Sequence, residues 1–152
     1  MPGKVRLPPS CVFYFGGIDR HKNVEGLIRA VALVGRQSPV HLVLCGGMEA
    51  ERRAELIDCA TACGLPRDHL HLTGRLTDDA LVQHLWAADV VVYPSLAEGF
   101  GLPVAEAMAC GAAVLCSNTT SLPEVIGRLD ATFDPEDPSD MARALRRVLG
   151  DP

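Results

Sequence analysis

Short runs of β-branched, aliphatic and aromatic residues alternate along the chain with longer stretches in which apolar positions recur every three or four residues. The runs Cys11–Phe15, Val40–Leu44, His69–Leu72, Asp89–Tyr93 and Ala113–Cys116 predict strands, and a weaker run at Ala131–Phe133 predicts one more. Between them the period is helical. Val24–Arg36 places Val24, Leu27, Ile28, Val31 and Val34 on one stripe, and Glu51–Cys63 does the same for Leu56, Ile57, Ala60 and Cys63. Thr77 is placed to cap a helix carrying Leu81, Val82 and Leu85. Pro103 suits the first position of a helix that runs to Cys110, with Gly111 past its end. Ser139 is expected to cap a last helix whose stripe is Met141, Ala144, Leu145 and Val148.

Strand–helix alternation repeated about six times predicts an α/β fold, a Rossmann-like doubly wound parallel sheet of about six strands with helices on both faces. Val90-Val91-Val92 is apolar without alternation, as a strand covered on both faces should be. Residues 1–10, rich in proline and basic groups, read as a linker-like segment, and 11–152 as one domain. The stretch Cys11–Phe15 is too short for a signal-peptide core.

Composition changes this picture only by exclusion. A 152-residue chain that is 48% hydrophobic folds rather than staying disordered, and buries about two-thirds of its unfolded surface. No apolar run approaches the ~20 residues of a membrane-spanning helix, so membrane association is not indicated. A net charge of −5 gives no general attraction to nucleic acid or anionic lipid, so any bound anion needs a local site. The six cysteines lie mostly in apolar runs with no CxxC, and read as buried small hydrophobes of a reducing, cytoplasmic compartment. Cys59 with Cys63, and His69 with His71 on one face of a strand, come nearest to metal-ligand pairs. Neither pair has a third ligand in sequence reach, and no metal site is expected.

In such a sheet ligands sit outside the carboxyl ends of the strands, so the turns after the strands are where chemistry is sought. The first, Gly16-Gly17-Ile18-Asp19-Arg20-His21-Lys22-Asn23, joins two glycines to two cations and a helix start that Asn23 can cap. It suits a phosphate or diphosphate, or it is a solvated turn that needs glycine for geometry alone. It is neither GxGxxG nor a GK[ST] loop. Gly46-Gly47 is a similar turn without cations. A second segment runs from Ser95 to Glu106. Gly99, Phe100, Gly101 and Leu102 free backbone amides near a helix start, and Glu106 one turn in can accept from a vicinal diol such as a ribose. Glu98, before the helix, can accept from a hydroxyl of a second ring or stabilise developing positive charge. The third turn, Thr73-Gly74-Arg75-Leu76, can frame a planar base, with Arg75 stacked on it or idle. His84 and Trp86 read as packing or surface groups. Asp78-Asp79 reads as a helix-start pair. Glu124 can bond back to loop amides and shape the site from behind. No DxD and no GxSxG occurs.

Phe13–Asn23, then Glu98-Gly-Phe-Gly-Leu-Pro-Val-Ala-Glu106, then Ser121-Leu122-Pro123-Glu124-Val125 resemble the C-terminal half of the group 1 retaining glycosyltransferases, over about residues 9–149. The resemblance implies one half of a two-domain GT-B fold. It implies a domain that binds a nucleotide-diphospho-sugar across a cleft from an acceptor-binding N-terminal domain, which is absent here along with its catalytic histidine. It also implies residue roles. Gly16, Gly17 and Lys22 would meet the diphosphate. Glu98, the candidate catalytic residue, would meet the donor sugar near its 3-hydroxyl as an orienting group rather than a nucleophile. Gly99, Phe100, Gly101 and Leu102 would offer amides, Glu106 would take the ribose, and Arg75 and Leu76 would touch the base. Gly17 stands where many members carry an arginine, and Arg20 is the nearest cation to replace it. The Gly-Gly-Ile-Asp…Lys-Asn form resembles a mannosyltransferase-rich branch, which makes GDP-mannose the first donor to consider. Transfer would be retaining, need no metal or other cofactor, and be weak or absent without the other half. Two other readings remain open: a nucleotide-binding module without catalysis, and a nucleotide-sugar epimerase half-domain. A dinucleotide dehydrogenase is disfavoured, since Leu44-Cys45-Gly46 stands where an acid would close the second strand.

Overall fold

The computed structural model describes residues 5–150; the start of the linker-like segment lies outside them, and its residues 5–10 form no helix or strand. Six strands form one parallel sheet: β1 (Cys11–Phe15), β2 (His41–Cys45), β3 (Leu70–Gly74), β4 (Val90–Tyr93), β5 (Val114–Ser117) and β6 (Thr132–Phe133). Their order is β3-β2-β1-β4-β5-β6. Six helices connect and flank them: α1 (Val24–Gly35), α2 (Ala50–Cys63), α3 (Asp78–Ala87), α4 (Leu102–Ala109), α5 (Leu122–Ile126) and α6 (Pro138–Val148). The chain starts in the middle of the sheet, builds outward through β2 and β3, and returns to pair β4 with the other side of β1, Val12 opposite Val90 and Phe13 opposite Val91. That reversal opens a crevice between the carboxyl ends of β1 and β4.

Burial explains the strands. Cys11 to Phe15 and Val90 to Tyr93 are buried at every position, because helices cover both faces. Helix α1 packs between α2 and α6, which is why eight of its twelve residues are buried rather than a single stripe. Thr77 caps α3 as expected, its hydroxyl accepting from the Ala80 amide at 3.2 Å.

Several boundaries shift for local reasons. The cap of α6 is Asp137, not Ser139. Its carboxylate accepts from the Ser139 and Asp140 amides, and Pro138, which has no amide to satisfy, takes the first helical position. Helix α4 starts one residue earlier than expected, at Leu102, with Pro103 second, where a proline still costs no intrahelical hydrogen bond. His69 ends a 3-10 turn and is not on β3. Asp89 precedes β4, where its carboxylate accepts from the Cys11 amide at 2.7 Å. Of the expected α2 stripe only Leu56 and Ala60 are buried, and Val148 at the end of α6 is exposed.

Candidate functional site

The β1–α1 turn is shaped by close backbone packing. Gly46, at φ +159°, presses against the Gly16 carbonyl oxygen, and a side-chain carbon there would collide with it. Gly46 therefore serves contact between the first two turns. The Gly16 amide donates to Cys45 O at 3.1 Å, and the buried Tyr14 hydroxyl donates to Gly17 O. Arg52 of α2 grips the turn from outside. Its Nε and Nη2 donate to Ile18 O at 3.0 and 2.8 Å, and it pairs with Glu25 and Glu55.

The turn's two cations part company. Arg20 is exposed and, among the described residues, pairs only with Glu55 on the α2 flank, at 3.9 Å, beside an open groove of about 600 Å3 whose lining includes Ile18, Gly47 and Glu51. Lys22 turns inward and donates from Nζ to Glu98 Oε1 at 2.7 Å. Asn23 does not cap α1 through its side chain. It adopts a left-handed conformation, and Nδ2 donates to Pro94 O at 2.9 Å and Pro135 O at 2.8 Å, joining the turns after β1, β4 and β6. A side chain at Gly26 would collide with that carboxamide.

The Ser95–Glu106 segment folds over the crevice. Glu98 Oε1 accepts from Ser95 Oγ as well as from Lys22, both at 2.7 Å. The Glu98 amide donates to Thr120 Oγ1 at 3.2 Å, and the Leu96 amide to His21 O at 2.8 Å. Support from behind thus comes from Thr120, with Thr119 donating weakly to Ser95 O and Leu96 O; Glu124 is exposed and makes no side-chain hydrogen bond among the described residues. Gly101 starts α4 at φ +70°, and a side chain there would strike Leu122 and Val125. Around it Phe100 and Leu102 stand exposed. Glu106 is exposed on α4. Arg75 lies over Gly47, with Leu76 packed against the core edge.

Burial pushes the Glu98 carboxyl up, but the hydrogen bonds from Lys22 and Ser95 and the Lys22 charge outweigh it, leaving the group below the usual carboxylate range. Under the site the Tyr93 hydroxyl is buried with no hydrogen-bond partner among the described residues. Its own burial, and after that Tyr14 and Glu106, push it far up, so it stays protonated. Burial likewise raises the Tyr14 hydroxyl.

The structure therefore gathers Gly16, Gly17, Lys22, Glu98 and the α4 start at the crevice, and sets Arg20 on the α2 flank and Arg75 over the β2 turn. Tyr14, Arg52, Tyr93 and Thr120 were not singled out from the sequence; Asn23 was, but as a cap for α1, and Ser95 only as the start of its segment, a polar residue prolonging a buried run. The paired histidines sit at the opposite edge of the sheet, where a third joins them: His41 Nδ1 lies 3.0 Å from His71 Nε2, and the His41 ring stacks on His69 at 4.2 Å. No group of three or more His, Cys, Asp or Glu able to hold a metal stands together among the described residues. No described helix is long and apolar enough to cross a membrane.

Fold and crevice together define a Rossmann-like domain of the GT-B type. Sucrose-phosphate synthase from Thermosynechococcus elongatus superposes with a TM-score of 0.85 at 32% identity, covering 95% of this chain and 38% of that one. The C-terminal domain of a group 1 family glycosyltransferase, LpcC from Francisella tularensis, superposes at 0.81 with 25% identity, over 95% of this chain and 78% of that one. The family model of glycosyl transferases group 1 matches residues 4–152, and the chain belongs to that family. The serotype-specific mannosyltransferase WbdA of Escherichia coli is 43% identical over 150 residues. Those residues are 97% of this chain but only 18% of WbdA, so the chain spans about a fifth of that relative's length.

Proposed function

We propose that this domain binds the donor of a retaining glycosyl transfer, a nucleotide-diphospho-sugar, with GDP-mannose the first candidate. The observation that carries the reading is the Lys22–Glu98 contact across the crevice. It brings an ammonium from the β1 turn and a carboxylate from the β4 turn to one point, beside the amides that open α4. Lys22 has two further N–H groups, so it can hold Glu98 and a phosphate oxygen together. Glu98 faces the sugar, Glu106 the ribose, and Arg75 with Leu76 the base. Mannose is favoured because WbdA is a mannosyltransferase and the first turn has the Gly-Gly-Ile-Asp form.

In the transfer, the bond from the anomeric carbon to the diphosphate oxygen breaks as the bond to an acceptor hydroxyl forms on the same face. The acceptor's proton leaves with the departing diphosphate. Negative charge grows on the diphosphate, and the sugar becomes oxocarbenium-like. Lys22 and the α4 amides are a preorganised cation and dipoles for that charge, with Arg20 the nearest further cation on the α2 flank, so no metal or other cofactor is needed. Acceptor binding and exclusion of water fall to an N-terminal domain facing this one, and the domain alone transfers little or nothing.

Calorimetry tests the reading, using GDP, UDP and ADP, each alone and as its sugar conjugate. Binding of one nucleotide, tightened by its sugar, is expected; binding of none overturns it. Glu106→Ala should weaken GDP about 10-fold and leave free pyrophosphate unchanged. Equal losses for both would remove Glu106 from the ribose.

A further inference from the structure

Two serines are the buried polar residues of the described chain, and they use their hydroxyls differently. Ser117 Oγ donates to a backbone carbonyl, Tyr93 O, at 3.2 Å, the ordinary way for a buried hydroxyl at a strand end to be satisfied. Ser95, equally inaccessible, donates instead to a carboxylate, Glu98 Oε1, at 2.7 Å. Lys22 Nζ donates to that same oxygen at 2.7 Å, and no hydrogen bond from the described residues reaches Oε2. A carboxylate anchored through one oxygen from two directions keeps its plane, and the second oxygen has both lone pairs free. Ser95 is itself fixed, since it follows the buried β4 and Pro94, whose carbonyl accepts from Asn23.

We propose that Ser95 is a positioning residue that acts through Glu98. It holds Oε1 so that Oε2 is presented as the sole acceptor for one hydroxyl of the donor sugar. The inference rests on the donor-binding reading and deepens it. A sugar lacking that hydroxyl leaves Oε2 unpaired at a half-buried site, so Ser95 sharpens the choice of sugar and not the grip on the nucleotide. Lys22 alone would keep the charge of Glu98 compensated but would leave the carboxylate free to turn about its contact.

The test compares wild-type and Ser95→Ala protein by calorimetry with GDP-mannose and with GDP, and follows the Glu98 side-chain carboxyl by carbon NMR through an acid titration without ligand. Loss of the Ser95 hydrogen bond should move the Glu98 titration to higher pH. It should weaken GDP-mannose about 5- to 10-fold and change GDP less than about 2-fold. On a Glu98→Gln background, Ser95→Ala should add little further loss. An unmoved Glu98 titration, or equal losses for GDP-mannose and GDP, overturns the proposal. Wild-type protein that binds neither ligand overturns the donor reading instead, and the ligand-free titration then decides alone whether Ser95 holds Glu98.

Discussion

At the carboxyl ends of β1 and β4 an ammonium and a carboxylate meet at 2.7 Å, whereas at the amino ends of β2 and β3 three imidazoles crowd within ring-stacking distance. Both clusters are partly withdrawn from water. At the first, burial acts on opposite charges, and the attraction outweighs it, so Glu98 stays ionised below its usual range. At the second, burial lowers His41, and His69 and His71 push it down further against a weaker pull from Asp68. Desolvation is thus outweighed by an opposite charge at one edge and reinforced by neighbouring imidazoles at the other, where His41 takes a proton less readily than a free imidazole. Partial burial alone does not mark a functional edge; the sign of the neighbours does.

Breaking the pair should have the largest effect. Lys22→Ala leaves Glu98, only 13% exposed, without its cation, and is expected to lower stability by about 2 kcal/mol in urea denaturation at neutral pH. It should also weaken nucleoside diphosphates at least about 10-fold. The double variant Lys22→Ala/Glu98→Gln should regain more than half of the stability, because it buries no charge; no recovery would mean that Lys22 contributes by packing.

The histidine edge makes an effect of intermediate size. The His41 pKa is depressed in the folded state from its ordinary 6.5, so the unfolded chain binds more protons as pH drops. Stability is then complete above that value and declines below it. Glu98 is depressed too, and its contribution fades only as pH falls below about 4.5, where the unfolded carboxyl takes its proton. The melting temperature should thus fall in two separated windows, and His41→Gln should flatten the upper one alone. A single window unaffected by His41→Gln would dissolve the contrast between the edges.

Arg20→Ala should do least to the fold. Arg20 is 82% exposed with one 3.9 Å contact, so stability should change by less than about 0.5 kcal/mol. Its effect on diphosphate affinity, read in the same calorimeter, should be smaller than that of Lys22→Ala. A loss as large as for Lys22 would show that Arg20 swings in from the α2 flank when ligand arrives.

How far the sequence reached follows from which forces act locally. The strands were legible because a run such as Val90–Val92 admits no solvated face, and the helices because their apolar period is a local property. Strand ends slipped by a residue or so where pairing, not polarity, sets the limit. Asp137 and Ser139 are both good caps; the proline between them decides in favour of Asp137, a local rule that Ser139 as cap overlooked. In the site, the chemistry of Glu98 and Lys22 could be named from the chain. Their contact spans 76 residues and the third histidine comes from a neighbouring strand, and no local pattern records such meetings. The Thr120 hydroxyl, which meets the Glu98 amide 22 residues away, is invisible for the same reason; Ser95 is only three residues from Glu98, and what the chain does not record there is that its hydroxyl turns inward to the carboxylate.

Asn23 has a consequence for how the domain comes into being. Its carboxamide reaches Pro94 71 residues on and Pro135 112 residues on. Within this domain the β1 turn therefore waits for the turns after β4 and β6 before its position is fixed, and closures of that length carry a large entropic penalty until the strands between have paired. A nascent chain halted before residue 94 would hold the glycines and the lysine but no cradle.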